Sequence, residues 1–172
     1  MSLFDLNQAW PVTAGAALGG LGALVLISPI TDRLATWLVR TPPDLGVFRG
    51  LQESPGKLVA GIVLAWILGG FLEELVLRGL VVHALHARLA VWLPDLVAGA
   101  VAIVAAGGLA LAIHLYQGLR AALIVAQLSL LLGVLFVVSG EDLWTVVLCH
   151  GLYDTIAFIR FARRSSAYAN VD

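Results

Sequence analysis

Five apolar stretches run through this 172-residue chain, each close to the ~20 residues a helix needs to cross a hydrocarbon core. They extend from about Val12 to Ile30, from about Leu58 to beyond Leu80, from about Leu96 to Leu115, from about Leu119 to Val138 and from about Leu143 to Phe161. Inside lipid every backbone donor and acceptor must be satisfied within the segment, so such runs fold as helices. The chain is 60% hydrophobic and 12% charged, with a mean hydropathy of +0.98, a balance that soluble domains do not carry. The expectation is an all-α, polytopic transmembrane helical bundle of about five spans. Residues 1–172 read as a single membrane domain with no internal repeat and no soluble second unit. Leu34–Val39 reads either as an interfacial helix or as a continuation of the first span.

Charge narrows the class further. A net charge of -1 gives no basic surface for nucleic acid, and the single cysteine, Cys149, permits no intrachain disulfide and reads as a small buried hydrophobe. No basic residue precedes the first apolar run in Met1-Ser2-Leu3-Phe4-Asp5, so that run is expected to be a retained span and not a secretory signal. Arg33, Arg40, Arg49, Lys57, Arg120, Arg160, Arg163 and Arg164 fall on one side of a five-span chain. The positive-inside rule then places the N-terminus outside and the C-terminus inside. Arginine far outnumbers lysine amid abundant Ala, Leu and Gly, which hints at a prokaryotic source and hence an integral protein of the cytoplasmic membrane.

Against this apolar background stands Phe71-Leu72-Glu73-Glu74-Leu75-Val76-Leu77-Arg78-Gly79. Each such charge costs roughly 2.5–3.5 kcal/mol near a bilayer centre before pairing, so three together point to function. Glu74 and Arg78 are four apart and share a helical face, which makes Arg78 the natural countercharge. Glu73 is turned about 100° away, with Leu77 four residues on. A free carboxylate in a poorly hydrated place can act as a general base on water. Two further apolar stretches carry His114 and His150, and Asp154 follows His150 by four residues. Glu73, Glu74, Arg78, His114, His150 and Asp154 are therefore the candidate site.

A set of Glu, His and Asp also suits zinc, although the spacing matches no common zinc signature. His83 and His86 flank a loop-like stretch, Val82 to Ala90, and are expected at the membrane interface. Ser28, Ser129 and Ser139 have no evident base partner for nucleophilic catalysis. Depth poses a puzzle. If the second span ended near Leu80, Glu73 and His114 would lie at opposite faces. Either the second helix runs on to about Ala87, or the third is shifted or broken near Gly118, with Gly107-Gly108 another place to bend or pack closely.

In order along successive apolar helices the chain has Glu73-Glu74-xxx-Arg78, Ala110-xxx-His114 and His150-xxx-Asp154. This trio resembles the CAAX prenyl protease and bacteriocin-processing (CPBP, or Abi) family, whose motifs are EExxxR, FxxxH and HxxxN or HxxxD. The resemblance spans about Leu58 to Phe161. It implies a metal-independent intramembrane glutamic endopeptidase with no cofactor. Glu73 would deprotonate a water that His114 helps to hold, Glu74 and Arg78 would support Glu73, and His150 with residue 154 would stabilise the oxyanion. Ala110 stands where the family has Phe, and Asp154 where Asn is common. The implied partners are membrane lipid and a peptide or protein substrate. The competing readings are a non-catalytic membrane scaffold or bacteriocin-immunity protein, a zinc-dependent membrane peptidase, and a small proton-coupled transporter or channel.

Overall fold

A computed structural model describes residues 8–168, with side chains as far as residue 163. The reading of Met1–Asp5 and the side chain of Arg164 lie outside the described residues. Among the described residues, five helices are long and apolar enough to cross a membrane: α1 Trp10–Leu38, α2 Pro55–Leu89, α3 Asp95–Ile113, α4 Leu119–Val138 and α5, which begins at Leu143. There are no strands among the described residues. Leu34–Val39 belongs almost wholly to the first span, because α1 continues unbroken to Leu38. A separate short 3₁₀ helix, Gly46–Gln52, lies in the connector that follows.

Helix α2 answers the depth puzzle. Its 35 residues extend about 52 Å at 1.5 Å per residue, well beyond a hydrocarbon core of about 30 Å. Glu73 sits beside the helix midpoint, and His83 onward reaches past the core. The stretch from Val82 to Ala90, expected to be loop-like, is helical as far as Leu89. It contains no Gly or Pro, and hydrophobic length alone does not end a helix. The helix ends at Leu89, and a turn over residues 90–92 leads to Pro94. Within α2, Trp66–Glu73 and Leu75–Val82 are wound as π-helix, a rare form that clusters at functional sites.

Small residues let the helices approach, as is usual where no water drives association. Ala98, Ala102, Ala106 and Ala110 form one buried stripe on α3. Leu130 of α4 fills the space beside Gly107, and Ile103 of α3 fills that beside Gly133. Gly107 therefore serves close packing, while Gly108 faces open space. Between α2 and α5, a Cβ at Gly70 would meet the Cα of Gly151 at 3.3 Å. The ring of Trp66 covers Gly151, and its Nε1–H donates to Thr155 Oγ1 at 3.0 Å. Exposed Trp10 and Trp92 mark one end of the bundle, and exposed Trp37 and Tyr116 the other, in the manner of interfacial aromatic belts. Arg33, Arg40, Arg49, Lys57, Arg120, Arg160 and Arg163 gather toward the second end. There the α1–α2 connector meets the α3–α4 turn through Asp44 N–H donating to Gln117 O at 2.9 Å.

Candidate active site

Helix α3 ends one residue before His114, and that ending orients the ring. The backbone N–H of His114 donates to Leu111 O at 3.2 Å, a tightened turn. The carbonyl of Ala110 then accepts from the His114 ring at Nδ1, at 2.9 Å. A carbonyl only accepts, so Nδ1 carries the hydrogen and Nε2 of the neutral ring presents its lone pair. That Nε2 faces Glu73 Oε1 at 3.7 Å. Beyond the 3₁₀ turn Leu115–Gln117, Gly118 adopts φ +88° and lets the chain reverse into α4.

Behind Glu73 lies a fully buried network. Arg78 Nη1 donates to Glu74 Oε1 at 3.1 Å, the pair expected from the spacing. Arg78 Nη2 donates to Ser129 O at 2.7 Å and to Ser129 Oγ at 3.1 Å, which ties α2 to α4. Ser129 was not among the expected site residues. Its role is to accept from a guanidinium, for which a search for nucleophile–base pairs carries no signal. His150 Nδ1 donates to the same Glu74 Oε1 at 2.6 Å, while its Nε2 is 3.5 Å from Asp154 Oδ2. The closest carboxylate partner of His150 is thus Glu74 on another helix, and not Asp154 on its own. Glu74 Oε2 and Arg78 Nε are buried without a hydrogen-bond partner.

Close backbone approach makes room for this arrangement. A Cβ at Gly69 would lie 2.9 Å from Asp154 Oδ2 and 3.6 Å from His150 Nε2. Glu73, Arg78, His114, His150 and Asp154 line one cavity of about 660 Å³, and Glu74 lies directly behind it, hydrogen-bonded to His150. The cavity runs from Phe48, Leu51 and Lys57 near the arginine-rich end inward to Ser129 and Leu132, with Ala110 in its wall. Among the described residues, no three His, Cys, Asp or Glu side chains are grouped as a metal site.

The family model for type II CAAX prenyl endopeptidases, Rce1-like, matches residues 55–156, more than half of the chain. The chain belongs to the Rce1-like family. No curated protein and no solved structure matches it. The Rce1-like stretch begins at the start of α2 and ends within α5, so it contains all six candidate residues. Helix α1 lies outside the match and packs along α4 and α5. Membership and the five apolar helices together make this an integral membrane protein of a CAAX-type protease family.

Proposed function

We propose that this protein is a metal-independent intramembrane glutamic endopeptidase that hydrolyses a peptide bond of a membrane-associated substrate. The observation that carries the reading is the gap between His114 Nε2 and Glu73 Oε1, 3.7 Å wide. With Nδ1 of His114 engaged by Ala110 O, both sides of that gap are acceptors. A water donating one hydrogen to each side would turn a lone pair toward the cavity, poised for attack.

In the proposed reaction Glu73 takes a proton as the water oxygen bonds to the substrate carbonyl carbon. The resulting oxyanion accepts from Nε2–H of a doubly protonated His150. Glu74 holds the opposite nitrogen of that ring, and Arg78 with Ser129 holds Glu74. Collapse breaks the C–N bond, and Glu73 returns its proton to the leaving amine. Asp154, near His150 Nε2, holds that ring nitrogen in its protonated form before substrate arrives. An ionised Asp cannot itself donate to an oxyanion. The cell location that fits is a prokaryotic cytoplasmic membrane, with lipid as the surrounding partner.

The test is cleavage of a library of membrane-anchored peptides by the full chain in lipid nanodiscs, read by mass spectrometry, with Glu73→Gln alongside. A general base contributes about 10²–10⁴-fold, so the variant should lose at least about two orders of magnitude in rate while melting like wild type. A folded Glu73→Gln protein that cleaves as fast as wild type would overturn the mechanism. Loss of cleavage on adding a chelator would replace it with the zinc-dependent reading.

A further inference from the structure

A second carboxylate–imidazole cluster sits at the opposite end of α2 from the cavity mouth. His83 Nδ1 pairs with Glu141 Oε2, and His86 Nδ1 donates to Glu141 Oε1 at 2.8 Å. The other nitrogen of His86, Nε2, lies 3.1 Å from Asp95 Oδ1. Carboxylates only accept, so satisfying both nitrogens of His86 requires a proton on each. A neutral ring can keep one of these bonds and must turn a lone pair toward the other carboxylate. The His86 ring also lies over Gly99 of α3, whose missing side chain leaves the space.

The cluster joins three elements: the last turns of α2, the first turn of α3 and the α4–α5 turn. In that turn Gly140 and Glu141 both adopt positive φ, +71° and +60°. Glu141 N–H donates to Phe136 O at 2.8 Å and Gly140 N–H to Val137 O at 3.1 Å, closing α4. Left-handed backbone is natural for Gly140 and unfavourable for a glutamate. What distinguishes Glu141 from a glycine here is the carboxylate that two histidines grip. The adjacent Asp142 is buried. It accepts from Thr13 Oγ1 at 2.7 Å and Thr145 Oγ1 at 2.8 Å, and from Trp144 N–H at 3.2 Å as it caps α5.

We propose that His83, His86, Glu141 and Asp95 form a proton-operated clasp that fixes the far end of α2 against the α4–α5 turn and releases it when His86 loses a proton. Helix α2 runs unbroken from the clasp to Glu73 and Glu74. Helix α5 starts immediately after the gripped turn and carries His150 in its third turn. The clasp therefore sits where it can bias the approach of the two helices that build the site. Among the described residues, the charged and titratable groups facing His86 are Asp95 from α3, Glu141 from the α4–α5 turn and His83 from its own helix. Asp142 is turned inward to Thr13 and Thr145. The sign follows from the geometry: the clasp is complete while His86 is doubly protonated, and its contribution to stability is lost as pH rises through that titration.

The experiment is thermal melting of the full chain in phosphatidylcholine nanodiscs between about pH 5 and pH 9, the range that imidazole titration covers. Wild type should lose about 2–4 °C across the window, the shift expected for one such contact in a domain of this length. His86→Gln should remove that fall. Glu141→Gly, which suits the left-handed backbone and so protects the fold, should remove it too. Either variant following the wild-type slope would overturn the clasp. Its influence on catalysis rests on the proposed peptidase reading and is read separately, as a pH-dependent cleavage rate in wild type that flattens in Glu141→Gly. If wild type cleaves nothing, the peptidase reading falls and the melts still decide the clasp.

Discussion

Two clusters of the same chemistry, carboxylates gripping histidines, sit on one helix, one in the middle of the bundle and one at its rim. Around Glu74 the carboxylate–guanidinium pair is sealed, with Glu74 0% and Arg78 1% exposed. Around Glu141 the outer partners are open, with His83 47% and Asp95 85% exposed, although His86 between them is mostly covered. Water answers for an unmet partner in the second case and cannot in the first. The same pair of groups is therefore a structural necessity in mid-bundle and an adjustable contact at the rim. The buried cluster also recruits a cation and a backbone carbonyl, because polar groups sealed from water must find their hydrogen-bond partners within the protein.

The largest effect that separates the two clusters should come from Arg78→Ala. Glu74 would be left buried with its guanidinium partner gone, and breaking a buried pair in this way typically costs about 3–5 kcal/mol. In a domain of this length that lowers Tm by roughly 6–20 °C, and an unfolded product is within that range. The double variant Glu74→Gln/Arg78→Met sharpens the comparison. Removing both charges should recover much of the loss, so the two single effects should be strongly non-additive in a melting cycle. Additive losses would mean that the pair is not acting as one buried unit.

Next comes Gly69→Ala. The new methyl would stand 2.9 Å from Asp154 Oδ2, and overpacking of this kind costs about 1–3 kcal/mol. Displacement of Asp154 should also disturb the protonated face of His150. The cleavage rate is therefore expected to fall by more than the melting shift alone would suggest. A variant that melts lower but cleaves normally would show that Asp154 does not govern the ring.

The five spans could be read from sequence because apolar length near 20 residues is a direct physical requirement of the bilayer. The Glu74–Arg78 pair was equally legible, since i,i+4 contact is local. The bond from Glu74 to His150 was not. It crosses 76 positions of sequence and depends on Gly70 meeting Gly151, a match of two helix surfaces that neither helix announces alone. The π-helical winding of Trp66–Glu73 and Leu75–Val82 is likewise not legible, since Gly69, Gly70 and Gly79 weaken a helix without specifying how it winds. His83 and His86 were read as flanking a loop because polar residues at the end of an apolar run resemble an exit from the membrane. The helix simply outlasts the hydrocarbon. The tautomer of His114 follows from where α3 stops, a detail of one turn that boundary reasoning from sequence does not reach.

A smaller effect is expected from Ser129→Ala. The hydroxyl contact to Arg78 at 3.1 Å disappears, but the shorter bond to the Ser129 carbonyl, 2.7 Å, remains. A hydrogen bond to a charged donor is worth at most about 1.5–3 kcal/mol, and with the carbonyl still accepting from the same nitrogen the melt should shift by only a few degrees. A loss as large as that of Arg78→Ala would transfer the anchoring role from the carbonyl to the hydroxyl.

The smallest effect, and the one that reads the contrast most directly, is that of salt. At about 1 M ionic strength the Debye length falls to about 3 Å, so contacts reached by solvent are screened and sealed ones are not. Raising salt should flatten the pH dependence of wild-type melting toward that of His86→Gln, because Asp95 and His83 lie in water. Asp95→Asn should do part of the same at low salt, with little change in Tm at neutral pH, since exposed ion pairs contribute little. The Arg78→Ala penalty should be the same at both salt concentrations. If salt instead left the pH slope intact and relieved the Arg78→Ala penalty, the assignment of which cluster is sealed and which is adjustable would have to be reversed.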